Sequence, residues 1–469
     1  MSQILEGYVC LYWGDSGKGK LVDEAAERAR QQDDGKRIVV VRSHGGPNAG
    51  HTICFRENGD LKQMIVHAAP SGLASGVDIA IGPHVAFDPE KFWNEFKNAQ
   101  EFGYNGRVMI SERVGILLDY HRKLDLMQEH QREASTPAVH VIPIGTTGSG
   151  IGPFYQDNAR RDTRITFADY VSEQFPEILQ QVLEKKRFEL KIYGIIDGKY
   201  SQKKILNELV SLHEPIRREL KHFAERLEYR LQEYLDKGHH IIVEGAQGTG
   251  LDVDLGTLPM VTSSHVLMPQ GLASLGLPRR AFKIIGVEKI YPTRVGNGVM
   301  PTLDEELENV GEMAGEYGAT TGRKRRVGWP DWVFAHRSAF LNDCDSIALT
   351  RVDCLQDREV KVCTQYLLDD ELTEEVPLNL SKAKAVYGRE RFNWHLWDGP
   401  RDVSKPLKVD AELRDKRWAY VKEGLESLPR GLRAFVTAHN TYVGVPIEMV
   451  SIGAAQGETV KRESIDKLL

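Results

Sequence analysis

The segment WGDSGKGK at positions 13–20 combines residue types that can bind a phosphate group and move a proton. Its glycines let backbone N–H groups turn toward an anion, Lys18 adds a positive charge, and the helical stretch LVDEAAERAR follows. Asp15 is unfavourable beside a phosphate unless it binds Mg²⁺ or transfers a proton. The spacing departs from the GxxxxGK[ST] pattern, because Gly14 lies only three residues before Gly17. A plain tight turn is therefore the alternative interpretation.

Two further glycine-dense loops carry polar side chains. HGGPNAGHT presents Asn48, whose amide can hydrogen-bond a substrate, and His51, which can donate to a phosphoryl oxygen. IGTTGSGIGP presents the hydroxyls of Thr146, Thr147 and Ser149, which suit a phosphate monoester. The alternatives are a structural loop with a surface histidine in the first case and an ordinary Ser/Gly turn in the second.

Three later segments add charge and amide groups. EGAQGTGLDVD supplies Gln247 directly after an apolar run, and LTRVDCL ends a late run with Arg351 and Asp353. The carboxylate of Asp353 can accept hydrogen bonds from N1–H and the 2-amino group of guanine. GATTGRKRRVGW carries a cluster of cations that could bind carboxylates or phosphates, or could form a solvated basic face. These cations are Arg323, Lys324, Arg325 and Arg326.

The elements that must position these loops are short, β-branched apolar runs. Three of them lead into glycine-rich loops: YVCLYWGDSGKGK, RIVVVRSHGGPNAGHT and HIIVEGAQGTG. Further strands are predicted in AFKIIGVEKI, SIALTRVD and IEMVSIG. Helical segments lie between the strands, so the sequence predicts an α/β fold with a mostly parallel, doubly wound sheet. In such sheets ligands bind outside the carboxyl ends of the strands, where all of these loops lie.

One helix is predicted from about 216 to 235, with Pro215 in its first turn and Gly238 as its stop signal. Its apolar residues recur at i, i+3/i+4 spacing: Ile216, Leu220, Phe223, Leu227 and Leu231. The chain has no clear linker, so one large domain over residues 1–469 is expected. A small peripheral lobe at about 365–430, where charge, Pro and Trp are frequent, is a further option.

The composition excludes several classes of protein. Lys and Arg total 61 against 67 Asp and Glu, a balance that disfavours nucleic acid as the main partner. No run of 18 apolar residues predicts a membrane span, and the N-terminus lacks the features of a signal peptide. The five cysteines are scattered and form no CxxC pair, which indicates reduced thiols and a cytoplasmic location rather than disulfides or a zinc site.

The motifs become specific when they are taken together and in order: WGDSGKGK, GGPNAGHT, LLDYH, IGTTGSGIGP, EGAQGTGLDVDLGTLPMVTSS, TRVGNG, GATTGRKRRVGW and LTRVD. This ordered set resembles the adenylosuccinate synthetase family over nearly the whole chain. The resemblance implies a ligase that couples L-aspartate to IMP with GTP hydrolysis and Mg²⁺. It also implies a homodimer and an α/β fold related to P-loop GTPases.

The resemblance also implies roles for individual residues. Asp15 would be the general base and a Mg²⁺ ligand, and the main chain of Gly50 would complete the metal coordination. Lys18 would contact the transferred phosphoryl group, and His51 would act as the acid partner that stabilises it. Arg160, in NARRD, would reach the nucleotide phosphate of the partner subunit.

Three groups of binding positions follow from the same resemblance. The positions that match IMP binding are Asn48, Thr147, Arg160, Gln247, Thr262, Val295 and Arg323. The loop from Ala319 to Arg325 would bind aspartate, with contributions from Thr320, Thr321 and Arg323. The triphosphate donor would contact Gly17, Lys18, Gly19, Lys20, Arg325, Arg351, Asp353 and Gly453, of which the last three lie where the family holds guanine.

The chain departs from the family at several of these motifs. The usual Glu, His, Arg and Lys are replaced by Ser16, Pro47, Ser149 and Arg351, and IGA at 452–454 replaces Thr-Gly-Pro. The last two changes concern guanine recognition, so ATP is an alternative donor. A phage branch of the family acts on dGMP and replaces the catalytic aspartate, which this chain keeps as Asp15. Ser16 either leaves room for a purine 2-amino group or caps the helix after the loop.

The sequence therefore leaves three functional hypotheses. The first is aspartate ligation to IMP, and the second is the same chemistry on GMP or dGMP, with GTP or ATP as donor. The third is a regulatory P-loop switch without synthetase activity. A switch has no use for GATTGRKRR together with Asn48, Gln247 and Thr262, so the sequence favours a ligase.

Overall fold

The computed structural model describes residues 3–57, 60–135, 143–318, 322–397, 411–453 and 457–462. The strands are β1 Leu5–Cys10, β2 Ile38–Gly45, β3 His51–Glu57, β4 Asp60–Val66, β5 Asp78–Phe87, β6 Val108–Ser111, β7 Gly115–Ile116, β8 Ala224–Glu225, β9 His240–Glu244, β10 Lys283–Lys289, β11 Thr293–Arg294, β12 Arg326–Val327, β13 Ser346–Thr350, β14 Cys363–Leu368, β15 Glu371–Thr373, β16 Lys384–Tyr387, β17 Ile447–Ser451 and β18 Thr459–Lys461.

Helices lie between and around these strands. They are α1 Lys18–Arg30, α2 Gly72–Ser75, α3 Pro89–Glu101, α4 Asp119–Ala134, α5 Ile151–Arg160, α6 Phe167–Val171, α7 Phe175–Ile192, α8 Lys199–Leu220, α9 Leu227–Asp236, α10 Met268–Ser274, α11 Glu308–Met313, α12 Trp332–Leu341, α13 Ala411–Glu423 and α14 Arg430–Val443. Among the described residues, no helix is both long enough and apolar enough to span a membrane.

The central sheet has the strand order β18-β17-β13-β10-β1-β9-β2-β5-β6-β8, with β7 beside β5. All pairs along this order are parallel except β17 with β18. The predicted α/β fold with a mostly parallel, doubly wound sheet is confirmed, and each of the six predicted strands lies in this sheet. Because these strands are parallel, the loops that follow β1, β2, β9, β13 and β17 meet at one edge.

Alternating side chains of the central strands pack on opposite faces of the sheet. Tyr8 on β1 packs in a cluster with Leu21 and Val22 of α1. Val9, the next residue, packs on the other face with Met268 and Leu272 of α10. Helices therefore cover both faces, which explains why the strands are almost continuously apolar. The result is a rigid edge from which the glycine-rich loops project.

The prediction of a single helix from about 216 to 235 is wrong. Helix α8 ends at Leu220, a 3₁₀ turn follows over Lys221–Phe223, and the chain then extends as β8 to pair with β6. Pro215 lies inside α8, not in a first turn. Gly238, with φ +69°, does follow the end of α9.

The apolar pattern of that segment serves two separate cores. Ile216 and Leu220 pack in the cluster around α7 and α8. Leu227 and Leu231 pack in a different cluster, against β9 and α10. Helical spacing therefore continues across a break, because both sides of the break have an apolar face to bury.

The strands between 363 and 387 form a separate, antiparallel sheet in the order β15-β14-β16. Tyr366 of this sheet and Trp394 pack in one cluster with Trp332 of α12 and Phe435 of α14. Residues 398–410 lie outside the described residues. The prediction of one domain with an optional lobe at 365–430 stays a prediction.

Candidate active site

The loop after β1 has the backbone geometry of an anion-binding turn. Gly14, Asp15 and Gly17 have positive φ values of 101°, 54° and 87°. A positive φ is uncommon for a residue other than glycine, so Asp15 is held in a strained conformation of the kind found at functional sites. Gly17 is the N-cap of α1 and no side chain caps this end. The first N–H groups of the helix are therefore open to a phosphate group.

Neighbouring strands hold this loop in place. Lys18 is 4 % exposed and donates from Nζ to the carbonyl oxygen of Gln247 at 2.8 Å. Thr350, at the end of β13, donates from Oγ1 to the carbonyl oxygen of Ser16 at 2.8 Å. The loops after β1, β9 and β13 are thus connected directly, as their order in the sheet requires.

Ser16 itself is buried, and its hydroxyl has no hydrogen-bond partner within the described ranges. The interpretation that Ser16 caps α1 is wrong, because Gly17 takes the N-cap position and makes no side-chain cap. A buried hydroxyl without a partner loses its hydrogen bonds to water and gains none in return. Its presence beside Asp15 therefore needs an explanation other than helix capping.

His51, at the start of β3, contacts a buried carboxylate. Its Nδ1 lies 2.5 Å from Oε1 of Glu244, the last residue of β9. Ser71 donates to the same carboxylate from its hydroxyl and, at 2.8 Å, from its backbone N–H. His51 is only 8 % exposed, so the alternative of a surface histidine is wrong. Gly19 permits the close approach of α1, since a Cβ there would lie 3.2 Å from the Cβ of His51.

Burial alone would raise the pKa of Glu244, but the charge of His51 and the hydrogen bonds from His51 and Ser71 outweigh burial and lower the pKa to about 2. Glu244 is therefore ionised across the neutral range. An anion that is fixed behind the ring orients the imidazole of His51.

Gln247 and Asn48 also meet at this edge of the sheet. Nε2 of Gln247 donates to Oδ1 of Asn48 at 2.9 Å. Gln247 has φ +53°, and its Oε1 accepts no hydrogen bond from the described residues. His44 supports this turn, because its Nε2 accepts a hydrogen bond from Ala246 N at 3.0 Å. The Gln247 side chain is thus fixed with one acceptor unused.

The loop before α5 is held by acidic side chains of α4. Asp125 accepts hydrogen bonds from the Thr146 hydroxyl and from Gly150 N, at 3.0 and 2.9 Å. Thr147 donates to the hydroxyl of Ser149 at 2.9 Å. Arg323 donates from Nη2 to the Gly145 carbonyl at 2.9 Å. Two of the positions predicted to bind the purine nucleotide, Thr147 and Arg323, are therefore neighbours.

Arg325 connects the cationic segment to the loop after β1. Its Nε lies 3.1 Å from Oδ2 of Asp15, and its Nη1 lies 2.6 Å from Oε2 of Glu316. Lys289, at the end of β10, approaches Oε1 of Glu316 at 2.9 Å. Arg325 is 9 % exposed, so the alternative of a solvated basic face is wrong for this residue. Lys324 does face solvent and pairs with acidic residues on the surface.

The positions predicted to bind the base of the donor follow two neighbouring strands of the sheet, β13 and β17. Arg351 follows β13 with φ +62° and donates from Nη1 to the Ala314 carbonyl at 3.2 Å; Asp353 follows in a 3₁₀ turn. Lys20 donates to Ser451 Oγ and to the Gly453 carbonyl, both at 2.7 Å. Lys20 therefore holds the loop after β17, and its predicted contact with a triphosphate stays a prediction.

The predicted roles of the remaining positions stay predictions. Thr262 donates from its backbone N–H to Leu251 O at 2.9 Å, and Val295 directly follows β11. Gly50 directly precedes β3. Arg160 ends α5, is half exposed, and pairs with Asp162 at 3.1 Å. Thr320 and Thr321 lie outside the described residues.

Sequence reasoning missed the acidic residues behind the site. Glu244 and Glu316 are both fully buried, and each pairs with a predicted site residue, His51 or Arg325. A signal exists for Glu244, which is a single charge at the end of the apolar run HIIVE. Glu316 carries no such local signal in the sequence, because its partner Lys289 lies 27 residues earlier in the chain.

These two carboxylates predict a dependence of stability on acid pH. Burial would raise the pKa of Glu316, but the charges of Lys289, Arg351 and Arg325 lower it to about 2, as for Glu244. Both values lie below the roughly 4.3 expected in the unfolded chain, so their contribution is complete above that pH and is lost as the pH falls toward 2. Each of the two carboxylates contributes about 3 kcal/mol to the free energy of unfolding at neutral pH.

Urea unfolding between pH 6 and pH 2.5 checks this expectation. We expect the free energy of unfolding to fall steeply below about pH 4.3, and the fall to be shallower in Glu244→Gln. Equal pH slopes for the variant and the unmodified protein would contradict the role given to Glu244.

Comparison with known proteins identifies the family of this chain. The family model for adenylosuccinate synthetase matches residues 8–398. The chain is 36 % identical over 463 residues to an adenylosuccinate synthetase of Chlorobium limicola, covering 96 % of this chain and 95 % of the relative. It is 37 % identical over 462 residues to that of Geotalea uraniireducens, covering 96 % of each chain.

Two solved structures share the fold. The fully ligated adenylosuccinate synthetase of Plasmodium falciparum is 25 % identical, with a TM-score of 0.79 over 98 % of this chain and 100 % of that one. The succinoaminodeoxyadenylate synthetase of cyanophage S-2L, bound to dGMP and dATP, is 17 % identical, with a TM-score of 0.57 over 100 % of this chain and 98 % of that one. The chain belongs to the adenylosuccinate synthetase family and is a ligase that forms a carbon–nitrogen bond.

Proposed function

We propose that this protein joins L-aspartate to C6 of IMP, with GTP as phosphoryl donor and a 6-phosphoryl purine as intermediate. One observation carries the proposal: the carboxylate of Asp15 lies beside an uncapped helix N-terminus, within a loop that Gln247 and Thr350 hold. A base, a phosphate site and an amide that can bind a purine are therefore adjacent.

In the first step Asp15 takes the N1 proton of IMP. The electron pair moves to O6, which attacks the γ-phosphorus of GTP, and GDP leaves. Lys18 and the N–H groups of the first turn of α1 stabilise the charge on the transferred group. His51, backed by ionised Glu244, donates a hydrogen bond to the same group.

In the second step the amine of aspartate attacks C6. The bond from C6 to the phosphorylated oxygen breaks, phosphate leaves with the former O6 atom, and the proton that the amine loses passes to this phosphate. Arg323 and the loop that contains it bind the carboxylates of aspartate, and Asn48 and Gln247 hold the purine. The unused Oε1 acceptor of Gln247 suits an N–H donor on a substrate.

The residues present fit a Mg²⁺ ion. The described residues hold no cluster of three or more His, Cys, Asp or Glu side chains able to enclose a metal. Phosphoryl-transfer sites need only one or two carboxylates, since phosphate oxygens and water complete the octahedron. The side chain of Asp15 is about one-third exposed and, with the Gly50 carbonyl, would hold the ion. When bound, Mg²⁺ would neutralise charge on the donor phosphates.

Phosphate release tests this proposal across acceptors and donors. IMP, GMP and dGMP are each assayed with GTP or ATP, with and without aspartate. We expect aspartate-dependent release to be fastest with IMP and GTP. Release that does not require aspartate, or that requires no purine acceptor, would contradict the proposed ligation. A non-catalytic switch is not retained, because the chain belongs to a family of ligases.

A second candidate is ligation of aspartate to GMP or dGMP, with ATP as a further donor. The observation that favours it is the small, unpartnered side chain of Ser16 beside Asp15. Its hydroxyl could accept a hydrogen bond from a purine 2-amino group, where the longer, charged Glu of most relatives would compete for space. The cyanophage synthetase, which shares this fold, is itself bound to dGMP and dATP.

The variant Ser16→Glu distinguishes these acceptors. We expect the ratio of kcat/KM for dGMP to that for IMP to fall by roughly three- to tenfold, since one hydrogen bond contributes about 0.5–1.5 kcal/mol. Steady-state kinetics on both acceptors give the ratio, with Ser16→Ala as the control for removal of the hydroxyl alone. An unchanged ratio in Ser16→Glu would mean that Ser16 does not face the purine.

We further propose that two subunits share each active site through Arg160. Its guanidinium is half exposed at the end of α5 and can reach the phosphate of a nucleotide that the partner subunit binds. Mixing Arg160→Leu with Asp15→Asn protein should restore part of the activity through hybrid dimers, since one site of each hybrid has both residues intact. Inactive mixtures, despite demonstrated subunit exchange, would rule out the shared site.

A further inference from the structure

A fully buried carboxylate lies directly behind the catalytic edge of the sheet. Glu316 has no exposed surface, and three side chains contact it: Lys289 and Tyr291 on Oε1, both at 2.9 Å, and Arg325 on Oε2 at 2.6 Å. Lys289 is also buried and donates to Thr293 at 2.9 Å. A charged group at such depth is retained only where several partners satisfy it.

Glu316 and Arg325 also join two paired segments, 316–318 and 322–325, which together are here called the 316–325 hairpin. Arg325 N donates to Glu316 O, and Gly318 N donates to Arg323 O, both at 2.8 Å. Tyr317 and Lys324 form an antiparallel bridge between these two contacts. The base of the hairpin is therefore fixed by backbone as well as by side chains.

The guanidinium of Arg325 extends from this base to the catalytic loop. One nitrogen, Nη1, is hydrogen-bonded to Glu316, and another, Nε, lies 3.1 Å from Asp15 Oδ2 in an ion pair without a hydrogen bond among the described residues. Asp15 is in a strained left-handed conformation with a partly exposed side chain, so its carboxylate needs an external partner to hold its direction. A guanidinium that is fixed at one end provides such a partner, because its positive charge is then held at a set distance from the Asp15 carboxylate.

We propose that Glu316 is a positioning residue for Asp15, acting through Arg325, with Lys289 and Tyr291 fixing the Glu316 carboxylate from behind. This inference rests on the proposed role of Asp15 as the base of the first step. Glu316 touches neither substrate nor donor. Its loss releases Arg325, misdirects the Asp15 carboxylate and slows proton removal from N1.

The test uses Glu316→Gln, which keeps the shape of the side chain and removes its charge. The matched control is Glu312→Gln, the same change on an exposed carboxylate that pairs with Lys324 of the same hairpin at 3.0 Å. Two rates are measured: overall turnover, and positional isotope exchange in ¹⁸O-labelled GTP with IMP but without aspartate. The exchange reports the first step alone.

We expect Glu316→Gln to lower turnover and isotope exchange by the same factor, roughly 10- to 100-fold, with the KM for aspartate within about threefold of the unmodified value. Glu312→Gln should leave both rates within about twofold. A rise in the KM for aspartate with normal exchange would overturn the inference, since Glu316 would then only support the aspartate loop. Unchanged rates in Glu316→Gln would overturn it as well.

A double variant tests whether Glu316 acts through Asp15. Asp15→Asn with Glu316→Gln should be no slower than Asp15→Asn alone, because an effect exerted through a missing group disappears. Additive losses would overturn the inference. If Glu316→Gln fails to fold because Lys289 is left uncompensated, Glu316→Gln with Lys289→Met replaces it in every arm. Absence of product with the unmodified protein would instead contradict the proposed function.

Discussion

Asp15→Asn is expected to lower kcat by about 10²- to 10⁴-fold, the usual cost of removing a general base. The amide cannot accept the N1 proton, so O6 does not become a nucleophile for the γ-phosphate. The loss of a carboxylate ligand to Mg²⁺ adds to this effect. Steady-state phosphate release with saturating IMP, GTP and aspartate measures it.

The fold should survive this change. Asp15 has φ +54°, and asparagine tolerates the left-handed region as well as aspartate does. The melting temperature and the binding of IMP therefore serve as controls and should remain close to those of the unmodified protein. A variant that retains turnover within tenfold would rule out Asp15 as the base.

His51→Asn is expected to lower kcat by roughly 10²- to 10³-fold, as removal of a single preorganised donor to a developing charge does. It should also destabilise the protein. Glu244 is fully buried, and without His51 its charge keeps only the hydrogen bonds from Ser71 and its other neighbours. Breaking a buried ion pair from one side costs about 3–5 kcal/mol.

The two effects can be separated with a second substitution. Adding Glu244→Gln to His51→Asn removes the unpaired charge, so the melting temperature should recover while kcat stays low. Thermal unfolding and phosphate release on both variants give the comparison. Recovery of turnover along with stability would mean that His51 supports the fold and takes no part in phosphoryl transfer.

The sheet could be predicted because its strands carry a local signal. Each run, such as HIIVE or SIALT, is short, β-branched and followed by a glycine-rich or polar loop, and β9 and β13 are those runs. The position of these loops at one edge of the sheet could be predicted because the strands are parallel. The predicted helix at 216–235 failed because two different cores supply apolar faces on either side of β8.

The residues proposed to face the substrate carry a local sequence signal, whereas the supporting residue Glu316 does not. Asp15, Lys18 and His51 lie in glycine-rich motifs whose composition indicates their chemistry. Glu316 depends on contacts with Lys289 and Arg325 that only the folded chain creates. Single acidic residues are common in any sequence, so a supporting carboxylate can be recognised only after the distances are known.

In the proposed reaction, O6 of the purine leaves as an oxygen of phosphate. The most direct measurement uses IMP labelled with ¹⁸O at O6, together with GTP and aspartate, and determines the mass of the phosphate released. If O6 is phosphorylated first, each released phosphate carries one ¹⁸O atom and the purine product carries none. Unlabelled phosphate released in step with product formation would contradict a 6-phosphoryl intermediate.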